Sequence, residues 1–292
     1  MYSLHKKINF PGYNVSFKKT ENGYIGTIRQ TDNAFKSAGY PECRNLTYIL
    51  KLDNDFNVTS NYLLNENSDL LPRFMNWSCG LEDARLLDEK SLLCVSVDTN
   101  PYWKTEMAYV EFSNEEQKIT KFVRFYLDGE EGIIKNEKNW LFLNKNHDNM
   151  HLLYSYDPIQ IISVDLNSGK GTIVKSYNKN NLKFSSHGGC CIFIKKINKY
   201  LVTIRNYIKN ENGHDKYNNN SWLLFDNEYE LCGISQPFLF ETIEQFSHTP
   251  YQMCMSLHLE NDILYSVVSV DDKFVNIHKF NIDEILNNIE II

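Results

Sequence analysis

The chain has 292 residues, a net charge of −7, and 18 Tyr with 17 Phe against 13 Gly and 7 Pro. The aromatic weight favours many short strands over a helical bundle, and the acidic balance excludes non-specific nucleic-acid binding, which needs a basic face. No apolar run is long enough to span a membrane, and Met1 to Pro11 is too polar for a signal peptide.

In chain order, Tyr13–Thr20 and Tyr24–Gln30 read as strands joined by Glu21-Asn22-Gly23, a hairpin signal. Leu46–Leu52 and Asn57–Leu64 flank Asp53-Asn54-Asp55, and Leu86–Leu87 and Leu92–Val97 flank Asp88-Glu89-Lys90. Met107–Phe112 pairs with Ile119–Tyr126, Trp140–Leu143 with His151–Tyr156, and Ile159–Leu166 with Gly171–Tyr177. Then follow Cys191–Ile194 with Tyr200–Ile204, Ser221–Phe225 with Glu230–Ile234, and Met253–His258 with Ile263–Val268. Helical periodicity is confined to Asp283–Ile292, through Ile285, Leu286 and Ile289.

Two hairpins make one unit, and polar strand starts near Val15, Asp83, Lys138, Gly188 and Met253 recur with a period of roughly 50–70 residues. This predicts an all-β fold, a five-bladed β-propeller with four-stranded blades, over a β-sandwich with long insertions. A single domain over 1–292 is expected, with blades roughly at 13–70, 80–127, 137–178, 187–240 and 251–281, closed by the termini. The start of each inner strand then points to one end of the axis, which gathers Asp83, Lys138 and His187 into one pocket.

The most informative string is Gly80-Leu81-Glu82-Asp83-Ala84-Arg85. In a regular strand Asp83 and Arg85 share one face and Glu82 takes the other. Such an Asp–Arg pair can hold a proton donor or an anion, or staple two blades. Lys138 near Trp140 reads as an anion ligand or as a stem along an indole. Asp157 before Pro158 fits a turn or a sugar hydroxyl. His187-Gly188-Gly189 fits a tight blade start or a site. Trp77, Tyr102, Trp103 and Tyr154 can stack on sugars or fill the core, and His248 and His258 read as local histidines. The seven Cys, with Cys190 beside Cys191, show no metal or disulfide spacing and indicate a reducing, cytoplasmic setting. There is no glycine-rich phosphate loop, nucleophile elbow, zinc string or calcium loop, so neither metal nor cofactor is expected.

Gly-Leu-Glu-Asp-Ala-Arg (80–85), Glu-Lys-Asn-Trp (137–140), Tyr-Ser-Tyr-Asp-Pro (154–158), His-Gly-Gly (187–189) and Ser-Val-Asp-Asp (269–272) occur in an order that resembles the five-bladed β-mannoside phosphorylases of glycoside hydrolase family 130 and the related β-mannosyltransferases of glycosyltransferase family 108. The likeness runs from about Val15 to Ile277. It implies that Asp83 is the acid, protonating the bridging oxygen through a sugar hydroxyl while phosphate attacks C1 with inversion. It also implies that Arg29, Arg85, Lys138, His187 and Arg205 hold phosphate or a phosphorylated donor. Glu82, Tyr154, Asp157 and Asp272 would contact sugar. Inorganic phosphate, a sugar 1-phosphate or a nucleotide sugar would be a substrate. Three positions depart from the family: Ala84 replaces Pro, His187 replaces Arg before the glycines, and Arg205 stands where His is frequent. The reading is inverting glycosyl transfer on a mannose-like hexose. The alternatives are a propeller that only binds glycan or protein, and a glycoside hydrolase.

Overall fold

The strands are built to be covered on both faces. Every residue of Ser91–Ser96 is buried; Leu92 packs with Ile49, Leu81 and Val110, whereas its neighbour Leu93 packs with Tyr109, Leu152 and Ile162. The same split recurs at Leu152 and Leu153, at Leu201 and Val202, and at Val267 and Val268. Successive side chains of a strand point to opposite faces, so each sheet must lie between two others. Five sheets closed in a ring satisfy that condition.

The computed structural model describes residues 3–32, 44–66, 69–71, 74, 80–96, 98–102, 104–130, 136–179, 186–209 and 216–292. They form a five-bladed β-propeller. The first blade is β2 (Tyr13–Thr20), β3 (Gly23–Asp32), β4 (Arg44–Leu52) and β5 (Val58–Leu63). The second is β6 (Leu81–Leu86), β7 (Ser91–Ser96), β8 (Glu106–Ser113) and β9 (Lys118–Arg124). The third is β11 (Leu141–Lys145), β12 (Asn149–Tyr156), β13 (Ile159–Asp165) and β14 (Lys170–Tyr177), with β10 (Tyr126–Leu127) added in parallel to β14. The fourth is β15 (Ser186–Ile194), β16 (Lys199–Lys209), β17 (Lys216–Asp226) and β18 (Leu231–Ser235). The fifth is β19 (Gln252–Glu260), β20 (Ile263–Val270) and β21 (Phe274–Asn281), and the N-terminal β1 (Ser3–Lys7) pairs antiparallel with β21 as its outermost strand. The inner strands touch around the axis: β19 on β2, β2 on β6, β11 on β15 and β15 on β19.

Five apolar clusters fill the spaces between neighbouring blades. The fully buried Trp222 lies between the fourth and fifth blades with Phe240 and Phe280.

The expected helix over Asp283–Ile292 is shorter. Helix α1 spans Ile282–Asn287, started by the Asn281 side chain accepting from Asp283 N at 2.9 Å. Ile289–Ile291 then forms β22, paired with the outer edge of β18. The paired Asn287-Asn288 is a poor helix continuation, and an open strand edge offers unpaired backbone groups that the tail satisfies. Among the described residues no helix is long and apolar enough to cross a membrane.

Candidate active site

Each inner strand carries an irregularity near its start. The register slips between Tyr13 and Ser16 in β2, Glu82 and Arg85 in β6, Phe142 and Asn144 in β11, Ser186 and Gly189 in β15, and Cys254 and Ser256 in β19. In the first four blades a residue with positive φ sits at or just before this start: Asn14 (53°), Asp83 (52°), Asn139 (65°) and Gly188 (69°). Asn, Asp and Gly are the residue types that enter this left-handed region at least cost. A bulge re-aims the side chains beside it. Here it turns polar groups of several blades toward one end of the channel.

The bulge corrects the strand reading of 80–85. Glu82 and Asp83 both face the axis, and both bind Arg29 Nη1, at 3.0 Å and 2.9 Å. Arg85 does not join them. It is buried, and its Nη1 donates to the carbonyl of Gly189 on β15. Regular alternation would have put Arg85 beside Asp83; Asp83 and Ala84 stand opposite the single residue Cys94 of the partner strand, and that one extra residue reverses the parity.

The polar ends line a cavity of about 1030 Å³ bounded by Asn14, Arg29, Glu82, Asp83, Glu137, Lys138, Tyr154, Gln160, Arg205, Tyr251 and Asp272, among others. This is the size class that takes small organic ligands. Seven of the residues expected from sequence meet there: Arg29, Glu82, Asp83, Lys138, Tyr154, Arg205 and Asp272. Asp157 does not; it is exposed in the turn between β12 and β13, because the Asp-Pro step serves that turn. The His187 side chain, Trp77 and Trp103 lie outside the described residues, and Tyr102 is exposed away from the cavity.

Arg29 is the electrostatic centre. Besides the two carboxylates, its Nε donates to Asn45 Oδ1 at 2.8 Å and its guanidinium lies 5.2 Å from the Tyr13 ring centre. Burial works against its charge, but Asp83 and Glu82 more than reverse this and raise its pKa above the ordinary value. Asp83 Oδ1 accepts a second bond, from Asn14 Nδ2 at 2.5 Å. The acid candidate is thus held by a cation and an amide on the same oxygen.

Two further groups were missed from sequence. Asn14 occupies in the first blade the bulge position that Asp83 occupies in the second, and the repeat spacing alone could have found it. Glu137, inside the Glu-Lys-Asn-Trp string, accepts from Trp140 Nε1 and from Tyr154 Oη, each at 3.0 Å. Burial, then the Glu137 charge, raises the Tyr154 phenol pKa, so it stays a proton donor to that carboxylate. Trp140 itself is buried against Phe125 and Tyr154, a core indole that orients a cavity carboxylate.

Across from Arg29, the Arg205 guanidinium stacks 4.3 Å from the Tyr251 ring centre and its Nη1 reaches Met253 Sδ at 3.8 Å. Lys138 is exposed and acts on Glu82 through its charge. Burial, reinforced by the Asp83 charge, raises Asp272 above the usual carboxylate range, against Arg29 and Arg205. The cavity therefore carries three cations and four carboxylates. Among the described residues, no cluster of three His, Cys, Asp or Glu is placed to hold a metal ion.

Burial also raises the Glu82 carboxyl; Arg29 opposes this and the Asp83 charge adds to it. A raised acid keeps its proton in the folded chain where the unfolded chain has lost it. Its contribution therefore favours folding below about pH 4.3 and is lost as pH rises through the folded-state value. Glu82→Gln removes this loss, so the stability of the variant relative to the parent increases from pH 4 toward pH 7. Urea-unfolding midpoints across that range test this, and parallel curves would refute it.

A scan against protein-family models and a search of curated proteins each return no match. Solved structures do match. A β-1,2-mannobiose phosphorylase from Listeria innocua superimposes with a TM-score of 0.62 at 13% identity, covering 97% of this chain and 92% of that one. A glycosyl hydrolase from Bacteroides ovatus gives 0.62 at 12%, covering 95% and 85%. A structure described with the GH130 family of mannoside phosphorylases, said to contain hydrolases that target β-1,2-mannosidic linkages in Candida mannan, gives 0.62 at 12%, covering 94% and 85%. At these identities the likeness establishes the fold.

Proposed function

We propose that this propeller is a carbohydrate-active enzyme that transfers a glycosyl group with inversion. Asp83 is the proton donor, and phosphate or the phosphate of a sugar donor is the second reactant. The observation that carries the reading is the convergence of Asp83, Arg29, Lys138 and Arg205 on one cavity at the end of the axis. A mannose-like sugar is the reading supported by the motif order and by the fold shared with a mannobiose phosphorylase.

In the degradative direction Asp83 releases its proton, relayed by a sugar hydroxyl, to the bridging oxygen. The bond from that oxygen to C1 breaks while a phosphate oxygen forms a bond to C1 from the opposite face. The products are a sugar 1-phosphate and an alcohol, and the reverse reaction builds the glycoside. Phosphoryl oxygens require charge-assisted donors, which Lys138 and Arg205 supply. Arg29 instead keeps Asp83 and Glu82 in place. Gln160, Tyr154 and Asp272 offer hydrogen bonds to sugar hydroxyls.

A second reading, hydrolysis, is favoured by one observation: Arg85 is outside the cavity and Arg29 is engaged by two carboxylates. With fewer cations for phosphate, water would be the nucleophile and Glu137, anchored on both oxygens, its base.

A thermal-shift and turnover panel with inorganic phosphate, mannose 1-phosphate, GDP-mannose and β-mannosides separates the two, because a ligand stabilises the folded state by mass action. A phosphorylated ligand is expected to raise the melting temperature. Lys138→Ala should abolish that rise while leaving the unliganded melting temperature within about 1 °C, as befits an exposed side chain. A flat response to every phosphate compound, with phosphate-independent cleavage of a mannoside, would replace transfer by hydrolysis. Binding of glycan with no turnover would make the protein a lectin.

A further inference from the structure

The apolar packing between the fourth and fifth blades holds two thiols that the glycosyl chemistry does not use. Cys190 lies on β15 and Cys254 on β19, the neighbouring inner strands of the fourth and fifth blades. Their sulfurs are 3.1 Å apart, although 64 residues separate them in sequence. This is closer than ordinary sulfur contact, and a disulfide bond of about 2.05 Å would need the pair to close by only ~1 Å.

The surroundings distinguish the two sulfurs. Thr203 Oγ1 lies 3.4 Å from Cys190 Sγ and accepts from the Cys190 amide at 3.2 Å. Arg85, fixed to the carbonyl of Gly189, and Lys18 both bring positive charge to Cys190. Arg85 Nη2 is buried without a hydrogen-bond partner among the described residues. Burial raises the Cys190 thiol, yet Cys254, Thr203, Arg85 and Lys18 together bring it below the ordinary value. Cys254 is pushed up, by burial first and then by Cys190. Cys94, in contrast, is buried with no second thiol beside it among the described residues, its sulfur directed at the Ala108 carbonyl, and burial pushes it far up.

We propose that Cys190 and Cys254 form a reversible oxidation site, a dithiol that closes to a disulfide between the inner strands of two adjacent blades. Cys190 is the attacking sulfur and Cys254 the resolving one. With hydrogen peroxide as oxidant, the Cys190 thiolate bonds to one peroxide oxygen, the O–O bond breaks, and the departing hydroxide takes up the thiol proton as water. Cys190 is then a sulfenic acid. Cys254 sulfur bonds to Cys190 sulfur, releases its own proton, and the expelled hydroxide leaves as a second water. Two thiols lose two electrons and two protons, and the peroxide is reduced to two waters. The inference is independent of the catalytic reading.

The test treats the intact protein with dilute hydrogen peroxide, alkylates it under denaturing conditions and maps the non-reduced digest by mass spectrometry. The expected result is a linked peptide pair containing Cys190 and Cys254, two hydrogens lighter than the separate peptides and released by dithiothreitol. In Cys254→Ala, Cys190 should stop at the sulfenic acid and be trapped by dimedone; in Cys190→Ala, Cys254 should remain fully alkylatable. Full alkylation of both residues after peroxide, or linkage of either to another cysteine, would overturn the proposal. The wild-type map decides the matter even if a variant fails to fold.

Discussion

Asp83→Asn is expected to lower turnover on an unactivated mannoside by roughly 10²–10⁴-fold, the range associated with loss of a general acid. The fold should be unaffected, for reasons visible at the residue. Asn tolerates the φ of 52° as well as Asp does. Its amide oxygen can still accept from Arg29 Nη1 and Asn14 Nδ2, the two donors on Oδ1. What disappears is the transferable proton. An aryl mannoside with a good leaving group needs little protonation, so the deficit should shrink on such a substrate. Initial rates on both substrates, with a melting curve of the variant, check this. An equal loss on both would assign Asp83 to positioning rather than proton transfer. An unchanged rate would remove it from the chemistry.

That Asp83 could be singled out at all reflects what a propeller writes into sequence. Strands covered on both faces carry long apolar runs, and the turns between them carry Asn, Asp and Gly. The five-bladed repeat was therefore legible, and of the three residues it gathers, Asp83 and Lys138 line one cavity while the His187 side chain lies outside the described residues. Arg205 and Asp272, which also line it, were reached through the motif likeness and not through the repeat. Side-chain direction near the axis was not legible. Simple alternation pairs Asp83 with Arg85 and separates Glu82; the bulge between Glu82 and Arg85 reverses the parity and sends Arg85 to Gly189. A bulge is decided by tertiary crowding of five strands around one axis, which a single strand does not show. The hint lay in residue type, since Asn14, Asp83, Asn139 and Gly188 all tolerate positive φ at comparable points of four blades. Asn14 was overlooked because amides are common in this chain. The tail was misread because an Ile285–Ile289 spacing suits a helix, whereas the open edge of β18 takes Ile289–Ile291 as a strand.

Arg29→Met should be the most destabilising single change at the site, by about 3 kcal/mol at neutral pH. This corresponds to roughly 5 °C in melting temperature for a chain of this size. The methionine keeps most of the volume, so the loss is electrostatic. Arg29, Glu82 and Asp83 side chains are only 15%, 21% and 15% exposed, so water replaces little of the missing guanidinium. Two neighbouring carboxylates would then lack their shared cation. Without that charge, the Glu82 carboxyl, already raised by burial, rises further and holds its proton to higher pH. The variant's folded state then binds more protons than the parent's, so its deficit is greatest near pH 7 and shrinks as pH falls through the carboxylate range. Denaturant midpoints of both proteins between pH 4 and pH 7.5 measure this. A deficit that is the same at every pH would mean that the loss comes from packing against Tyr13, not from the carboxylates. The double change Glu82→Gln with Arg29→Met adds a second check: removing one of the two charges should recover part of the stability, because the pair and its cation are coupled rather than additive.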